Sequence, residues 1–280
     1  MHPLVLQPSL AFRPDVLGQG FRDYFVTAEE FRALLEQLWR HGWTFVDVHR
    51  AAAGTVRVPA GRKPLVLSED DVNYYRYFAG RGLADRLVLD GDRVRAQVGN
   101  QLTDEDVVPL VEAAVARHPE LSADGAKGVL AVTGYEGLLG EHNAAGDPAA
   151  RTRLRALAQQ LRATGWTFAS HTFGHISLAG ASKGTVARDT RRWRALTGDL
   201  LGRVDILIYP FGSRPSVAVR RQLRAAGFPI QLDIDVVARH QVADGVVIMS
   251  RRHVDGLAFA SPSRQAPFYD VRALEHRPRR

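Results

Sequence analysis

The sequence predicts an α/β fold, a parallel barrel formed as one domain, and three observations carry that prediction. Amphipathic helix patterns alternate with short apolar runs of β type, the rhythm of a parallel α/β architecture. The chain has 280 residues, enough to bury one large core and common for such a barrel. Two apolar runs close in polar clusters: Leu65-Val66-Leu67 in Ser68-Glu69-Asp70-Asp71, and Trp166-Thr167-Phe168-Ala169-Ser170 in His171-Thr172-Phe173-Gly174-His175. Functional groups gathered at strand ends suggest a barrel mouth.

In chain order, Thr27-Ala28-Glu29-Glu30 is a capping box opening a helix to about residue 40, with Phe31, Leu34, Leu35 and Leu38 as its apolar stripe and Gly42 as its stop. Strands are predicted over 43–48 and 63–68. Residues 87–98 alternate around Asp90-Gly91, which predicts a β-hairpin inserted after the Asp-Asp strand, either a lid or decoration. Thr103 to Asp106 caps a helix bearing Val107, Leu110, Val111 and Val115, and 128–132 follows as a strand. The glycine-rich stretch 134–140 lacks the lysine and spacing of a phosphate loop and reads as a tight turn at the barrel top. Further helices are predicted over 148–164, 185–196 and 216–226, and further strands over 205–210, 229–234 and 246–250. One domain is expected over 1–270, with 271–280 a basic tail that frays from Arg272 and ends His276-Arg277-Pro278-Arg279-Arg280. There is no internal repeat.

Composition excludes several classes. A hydrophobic content of 45% with 24% charged residues is that of a globular domain, so neither a disordered nor a fibrous chain is indicated. No run approaches the roughly 18 apolar residues of a membrane span, so no transmembrane segment is expected. Met1-His2 leads directly into Pro3-Leu4-Val5-Leu6 without a basic segment and apolar core, so no secretory signal is read here, and removal of a leader or anchor stays open. The absence of cysteine excludes disulfides and thiolate metal sites. The net charge of +7 is carried by arginine, since Lys63, Lys127 and Lys183 are the only lysines. Its densest cluster, Arg188, Arg191, Arg192 and Arg194 around Trp193, has the pattern of a solvated helix face. Nucleic acid is therefore not an expected partner, and attraction to an anionic cell-wall polymer is equally compatible with the charge. The oligomeric state is not readable.

The Asp-Asp pair and the His-x-x-x-His pair carry the chemistry. One carboxylate with two imidazoles is a ligand set for a divalent ion with open coordination positions, as metal-assisted hydrolysis requires, and the second carboxylate is then free as a base. Each half alone is weak, because acidic pairs are common at turns and histidines four apart are common on exposed helices. Gly174 between the histidines and the apolar run before them argue against a surface helix.

On these residues the chain resembles the polysaccharide deacetylase family (NodB homology, carbohydrate esterase family 4), as a divergent branch. The family's Ser/Thr-Phe-Asp-Asp-Gly is matched by Ser68-Glu69-Asp70-Asp71-Val72, its His-Ser/Thr-x-x-His fully by His171-Thr172-Phe173-Gly174-His175, and its third motif by Tyr209-Pro210-Phe211-Gly212. The resemblance covers almost the whole chain. It implies a distorted (β/α) barrel, with Asp71, His171 and His175 as ligands of one divalent metal ion and Asp70 as general base. Zinc is the default for nitrogen and oxygen ligands, and cobalt, nickel or manganese would fit the same set. It also implies an oxyanion held partly by a backbone N–H near Phe211, in the loop that begins at Tyr209.

Several positions depart from the family pattern. The usual glycine after the acidic pair is Val72, followed by Asn73-Tyr74-Tyr75, where Tyr74 or Tyr75 either stacks on sugar rings or packs in the core. The arginine that orients the base is replaced by Ile208. Arg251 or Arg252 either reaches the same space from a late strand or forms a surface salt bridge. The late Leu-x-His motif that supplies the general acid is missing; His253 is its substitute or a structural histidine. His2 lies either at the mouth, as in some relatives, or on a frayed terminus. The expected activity is metal-dependent removal of N-acetyl groups from a cell-envelope or extracellular polysaccharide, the partner being an N-acetylated glycan. The alternatives are a noncatalytic glycan-binding module on the same fold and an O-acetyl esterase or small-amide hydrolase. A cytoplasmic location stays open.

Overall fold

The computed structural model describes residues 1–274, so the tail sequence from His276 onward lies outside the described residues. The strands are β1 (Trp43–Phe45), β2 (Lys63–Leu65), β3 (Ser68–Glu69), β4 (Arg86–Asp90), β5 (Arg93–Val98) and β6 (Gln101–Thr103), followed by β7 (Gly128–Val132), β8 (Trp166–Ser170), β9 (Ile206–Ile208), β10 (Ile230–Ile234), β11 (His240–Ala243) and β12 (Val246–Arg251). A seven-stranded sheet has the order β11-β12-β10-β9-β8-β7-β3, parallel except for β11. Every residue of β7 and of β9 is buried, because helices cover a parallel sheet on its outer face while the barrel interior covers the other. That double burial is why these strands read as continuous apolar runs. Helices Pro148–Ala163, Lys183–Thr197 and Val217–Ala225 make the crossovers from β7 to β8, β8 to β9 and β9 to β10.

The barrel is distorted where it would close. β1 and β2 pair only with each other, in a separate parallel ribbon, and the strand expected over 63–68 is two strands. Leu65 O accepts from Val46 N–H while Leu67 O accepts from Val129 N–H, so the chain changes sheets between these two residues. A cavity of ≈ 460 Å³, lined by Leu34, Leu38, Leu65, Leu67, Met249 and Phe268 among others, lies where β2 and β12 do not meet. The strand expected over 43–48 ends at Phe45, because the Asp47 carboxylate accepts from Arg50 N–H at 2.9 Å and caps a short helix, Val48–Ala52.

The helix Ala28–Arg40 starts on the expected capping box, with Thr27 and Glu30 each satisfying the other's backbone N–H. β4 and β5 form the expected hairpin, Asp90 opposite Arg93, and β6 extends it to three strands. This sheet packs on the helices Val107–Arg117 and Pro148–Ala163, so the insertion buttresses the barrel wall and is not a lid. Val271 and Leu274 are buried in the main core, so fraying does not begin at Arg272 and the packed chain runs past residue 270. No helix among the described residues is long and apolar enough to cross a membrane.

Candidate metal centre

The polar clusters follow β3 and β8, whose neighbours in the parallel sheet bring both sequences to one end of the barrel. Ligand atoms of Asp71, His171 and His175 lie within 4.8 Å of one another. His171 N–H donates to Val132 O at 2.9 Å, which extends the β7–β8 ladder to the first ligand. Its Nδ1 is 2.9 Å from Ile208 O. A carbonyl only accepts, so Nδ1 carries the proton and Nε2 presents its lone pair. Burial pushes the His171 pKa down against the pull of Asp70 and Asp71, which favours the neutral, ligating form.

Asp71 is gripped from several directions. The Tyr75 hydroxyl donates to its Oδ1 at 2.6 Å, His175 Nε2 lies 3.7 Å from the same oxygen, and His2 Nε2 lies 3.8 Å from Oδ2. His175 is set by a loop whose amides at Phe173 and Gly174 both donate to Asp189, at 2.7 and 2.9 Å. Asp71, Thr172, His175 and Phe211 all hold φ between 49° and 62°. Such left-handed angles are costly for residues with a Cβ and are kept only where the surroundings over-determine them. The donor set, one hard carboxylate and two imidazoles with a hydrogen-bonded outer partner, fits a divalent ion.

Asp70 has a different environment. Its Oδ1 accepts from Arg251 Nη1 at 2.8 Å, with both side chains nearly buried, and Arg251 also donates to Ser68 Oγ at 3.0 Å. Burial alone would push the Asp70 pKa up, but Arg251 and then His171 outweigh it and hold the carboxyl well below its usual range. Asp70 is therefore an ionised acceptor beside the ligand group. Ile208, where the family carries arginine, is wholly buried, and the guanidinium comes from the end of β12. Arg252 turns away, donating to Arg264 O and Val236 O.

Other expected residues are placed differently. Tyr74 is 2% exposed and donates to Asp106 Oδ2 at 2.8 Å, so it packs in the core and offers no face to a sugar. Tyr75 is as deeply buried, its ring between Tyr77 and Tyr135 at 5.5 and 5.0 Å, and its part is to hold Asp71. Tyr209 is buried; its hydroxyl donates to Gln231 Oε1 and its N–H to Leu232 O, so neither is free for an oxyanion. Phe211 is 70% exposed with its ring 4.4 Å from that of His175, and its N–H has no partner among the described residues. His253 sits on the rim, Nδ1 3.1 Å from Asp255 Oδ2, and contacts none of Asp70, Asp71, His171 and His175. The Asp255 carboxylate also accepts from Ala258 N–H as a helix cap, which fixes that pair away from the centre.

Val72 is wholly buried, filling space that a glycine would leave empty. Glu69, at the motif's phenylalanine position, is buried with both oxygens unpartnered; burial first, then Asp106, pushes its pKa well up, which favours its neutral form.

His2 is the imidazole that spacing does not assign. Its Nδ1 lies 2.8 Å from Tyr24 O and its ring stacks on Phe25, so Nδ1 is the protonated nitrogen and Nε2 faces Asp71. Of the two places that the resemblance leaves open for His2, the mouth is the one observed, and the contact with Asp71 joins residues far apart in sequence. Beside the centre opens a groove of ≈ 790 Å³, whose wall includes Tyr24 and Gly212.

No family model and no curated protein matches this sequence. Solved structures do match it in fold. The deacetylase PplD of Streptococcus pyogenes, in complex with acetate, superposes with a TM-score of 0.54 at 15% identity, covering 86% of this chain and 87% of its own. IcaB from Ammonifex degensii gives a TM-score of 0.51 at 14% identity over 90% and 91% of the two chains. A de-N-acetylase from Aggregatibacter actinomycetemcomitans gives 0.50 at 15% identity over 83% and 86%. The chain thus has the barrel fold of the NodB-type polysaccharide deacetylases.

Proposed function

We propose that this chain is a metal-dependent deacetylase of the polysaccharide deacetylase family that removes N-acetyl groups from a cell-envelope or extracellular polysaccharide. One observation carries the reading: an Asp-His-His ligand group stands beside a second carboxylate, Asp70, that is kept ionised and aimed by Arg251. Asp71, His171 and His175 would hold the ion, zinc by default and cobalt, nickel or manganese as alternatives. When bound, such an ion polarises the amide carbonyl and acidifies water.

The chain's own groups divide the remaining work. Asp70 accepts the proton of the attacking water, and Arg251 keeps the carboxylate oriented while leaving Oδ2 free of that contact. The open N–H of Phe211, in a turn held left-handed, is the backbone donor for the developing oxyanion. His2 Nε2, with Nδ1–H anchored on Tyr24 O, gives a proton to the leaving amine; burial pushes its pKa down against the pull of Asp71, Asp70 and the Tyr24 carbonyl, which makes its cation a readier proton donor. His2 thereby takes the part that the sequence reading offered to His253. The Arg251 contact supports this reading over a noncatalytic module, which the missing arginine and the missing late histidine favour.

The test is acetate release by the full chain from chitooligosaccharide, poly-N-acetylglucosamine, peptidoglycan and an O-acetylated glycan, after loading with each of the four metals. N-linked acetate released only by metal-loaded protein, and lost in Asp70→Asn, supports the proposal. Glycan binding by the metal-loaded protein with no acetate release would overturn it in favour of a binding module, and release confined to O-acetyl groups would make it an esterase.

A further inference from the structure

The groove beside the centre has an unusual balance of charge. It is continuous with the centre at two points: Gly212 follows Phe211, and Tyr24 carries the carbonyl that anchors His2. Its carboxylates already have partners: Asp235 pairs with Arg214 at 2.5 Å and Arg239 at 2.6 Å, and Asp255 accepts from Ala258 N–H with His253 Nδ1 at 3.1 Å. Of the three arginines that line it, Arg214 is thereby paired, but Arg252 and Arg264 have no carboxylate partner among the described residues. Arg252 is held in place by Val236 O and Arg264 O and lies over the Phe268 ring, so its guanidinium is positioned before any ligand arrives. Between these charges, Tyr24, Val236 and Leu257 are each about half exposed and present apolar surface.

Apolar side chains beside unpaired guanidinium groups match a polymer whose faces are C–H surfaces of sugar rings and whose edges bear anions. We propose that the groove binds an acidic N-acetylated glycan, placing an anionic group of a sugar neighbouring the reacting acetamide against Arg252 and Arg264. This rests on the deacetylase reading and narrows its substrate. Carboxylate and phosphate share the required chemistry, planar or tetrahedral oxygens that accept from a guanidinium fork. The net charge of +7 adds long-range attraction for the same polymer.

The experiment compares three substrates on the metal-loaded full chain: a hyaluronan oligosaccharide, a phosphodiester-linked N-acetylglucosamine oligomer, and neutral chitooligosaccharide of similar length. At low salt, kcat/KM for at least one acidic substrate should exceed the neutral one by about tenfold. That ratio should fall toward one at high salt and in both Arg252→Gln and Arg264→Gln. Because Arg252 also braces two carbonyls, Arg264→Gln, whose guanidinium has no hydrogen-bond or ion-pair partner among the described residues, is the variant that isolates charge. Whichever acidic arm responds identifies the anion. Equal or better use of the neutral substrate, or a ratio unchanged by Arg264→Gln, overturns the inference. Calorimetric binding of the same three oligosaccharides to the Asp70→Asn protein reads the groove without turnover, so acetate released from none of them would sink the deacetylase reading separately.

Discussion

On the β3 and β8 side of the mouth, the ligand group comes from two short segments, Asp70-Asp71 and the five residues from His171 to His175, each continuing a strand. On the β12 side, the guanidinium that controls Asp70 comes from 181 residues away in sequence, and His2 reaches Asp71 from the other end of the chain. The first side matches motifs of the polysaccharide deacetylases, and the second departs from them. The difference follows from what each chemistry demands. A metal needs several donors at fixed mutual distances, so the strand ends that carry them are fixed relative to one another and each short motif stays together. Orienting a carboxylate needs only one cation at one point in space, and any strand ending there can supply it. Arg251 meets that need from β12, so the buried Ile208 can pack in the barrel wall.

The sharpest way to break this comparison is to remove a ligand. Asp71→Asn should abolish stoichiometric metal binding and with it essentially all turnover, measured by metal content and acetate release on the same preparation. Metal retained at wild-type stoichiometry would show that Asp71 is not a ligand. Next in size is Asp70→Asn, which deletes proton acceptance without changing bulk. It should keep the metal and the fold while lowering kcat by about 10²- to 10⁴-fold. If it hydrolyses at near wild-type rate, the roles within the acidic pair are reversed or shared.

Arg251→Met tests the β12 side directly. It should leave metal content intact and lower kcat/KM, with the loss greatest at acid pH. The sign follows from the forces on Asp70: burial pushes its pKa up, while Arg251 and His171 hold it down. Without the guanidinium, burial counts for more and the pKa rises, so the acid limb of the pH profile should move to higher pH. A profile that falls uniformly, with no displacement of that limb, would mean that Arg251 acts only structurally. The smallest effect is expected from Tyr75→Phe, which removes the hydroxyl at 2.6 Å from Asp71 but keeps the ring between its two neighbours. Loss of such an outer hydrogen bond should weaken metal affinity by about 10- to 100-fold while saturating metal restores turnover.

How much of this was legible depended on whether the signal was local. The capping box at Thr27 and Glu30, the Asp90-Gly91 hairpin and the buried runs of β7 and β8 are all decided by neighbours within a few residues, and they form where the sequence puts them. The convergence of Asp70, Asp71, His171 and His175 was also readable, because parallel strands deliver their ends to one face. Tyr74 was harder. Whether an aromatic ring meets solvent or core depends on what packs over it, here the Asp106 cap and the main core. Tyr209 looked like part of the mouth loop but is tied to Gln231 of the adjacent strand, a partner that no spacing reveals.

By itself, then, the sequence determined the parallel α/β barrel, the hairpin that interrupts it and the two motifs whose carboxylates and imidazoles meet at its mouth, because hydrophobic periodicity and turn chemistry act at short range. The tertiary structure decided which cation and which imidazole complete the centre. Successive side chains along a strand point to opposite faces, but nothing local says whether Arg251 or Arg252 faces Asp70. The pairing of β12 with β10, Ile234 opposite Arg251, settles it by turning Arg251 inward, while Arg252 leaves the strand for the groove. The same long-range packing seats His2 on Phe25 beside Asp71 and leaves His253 on the rim with Asp255, since a histidine's role is set by what its two ring nitrogens meet.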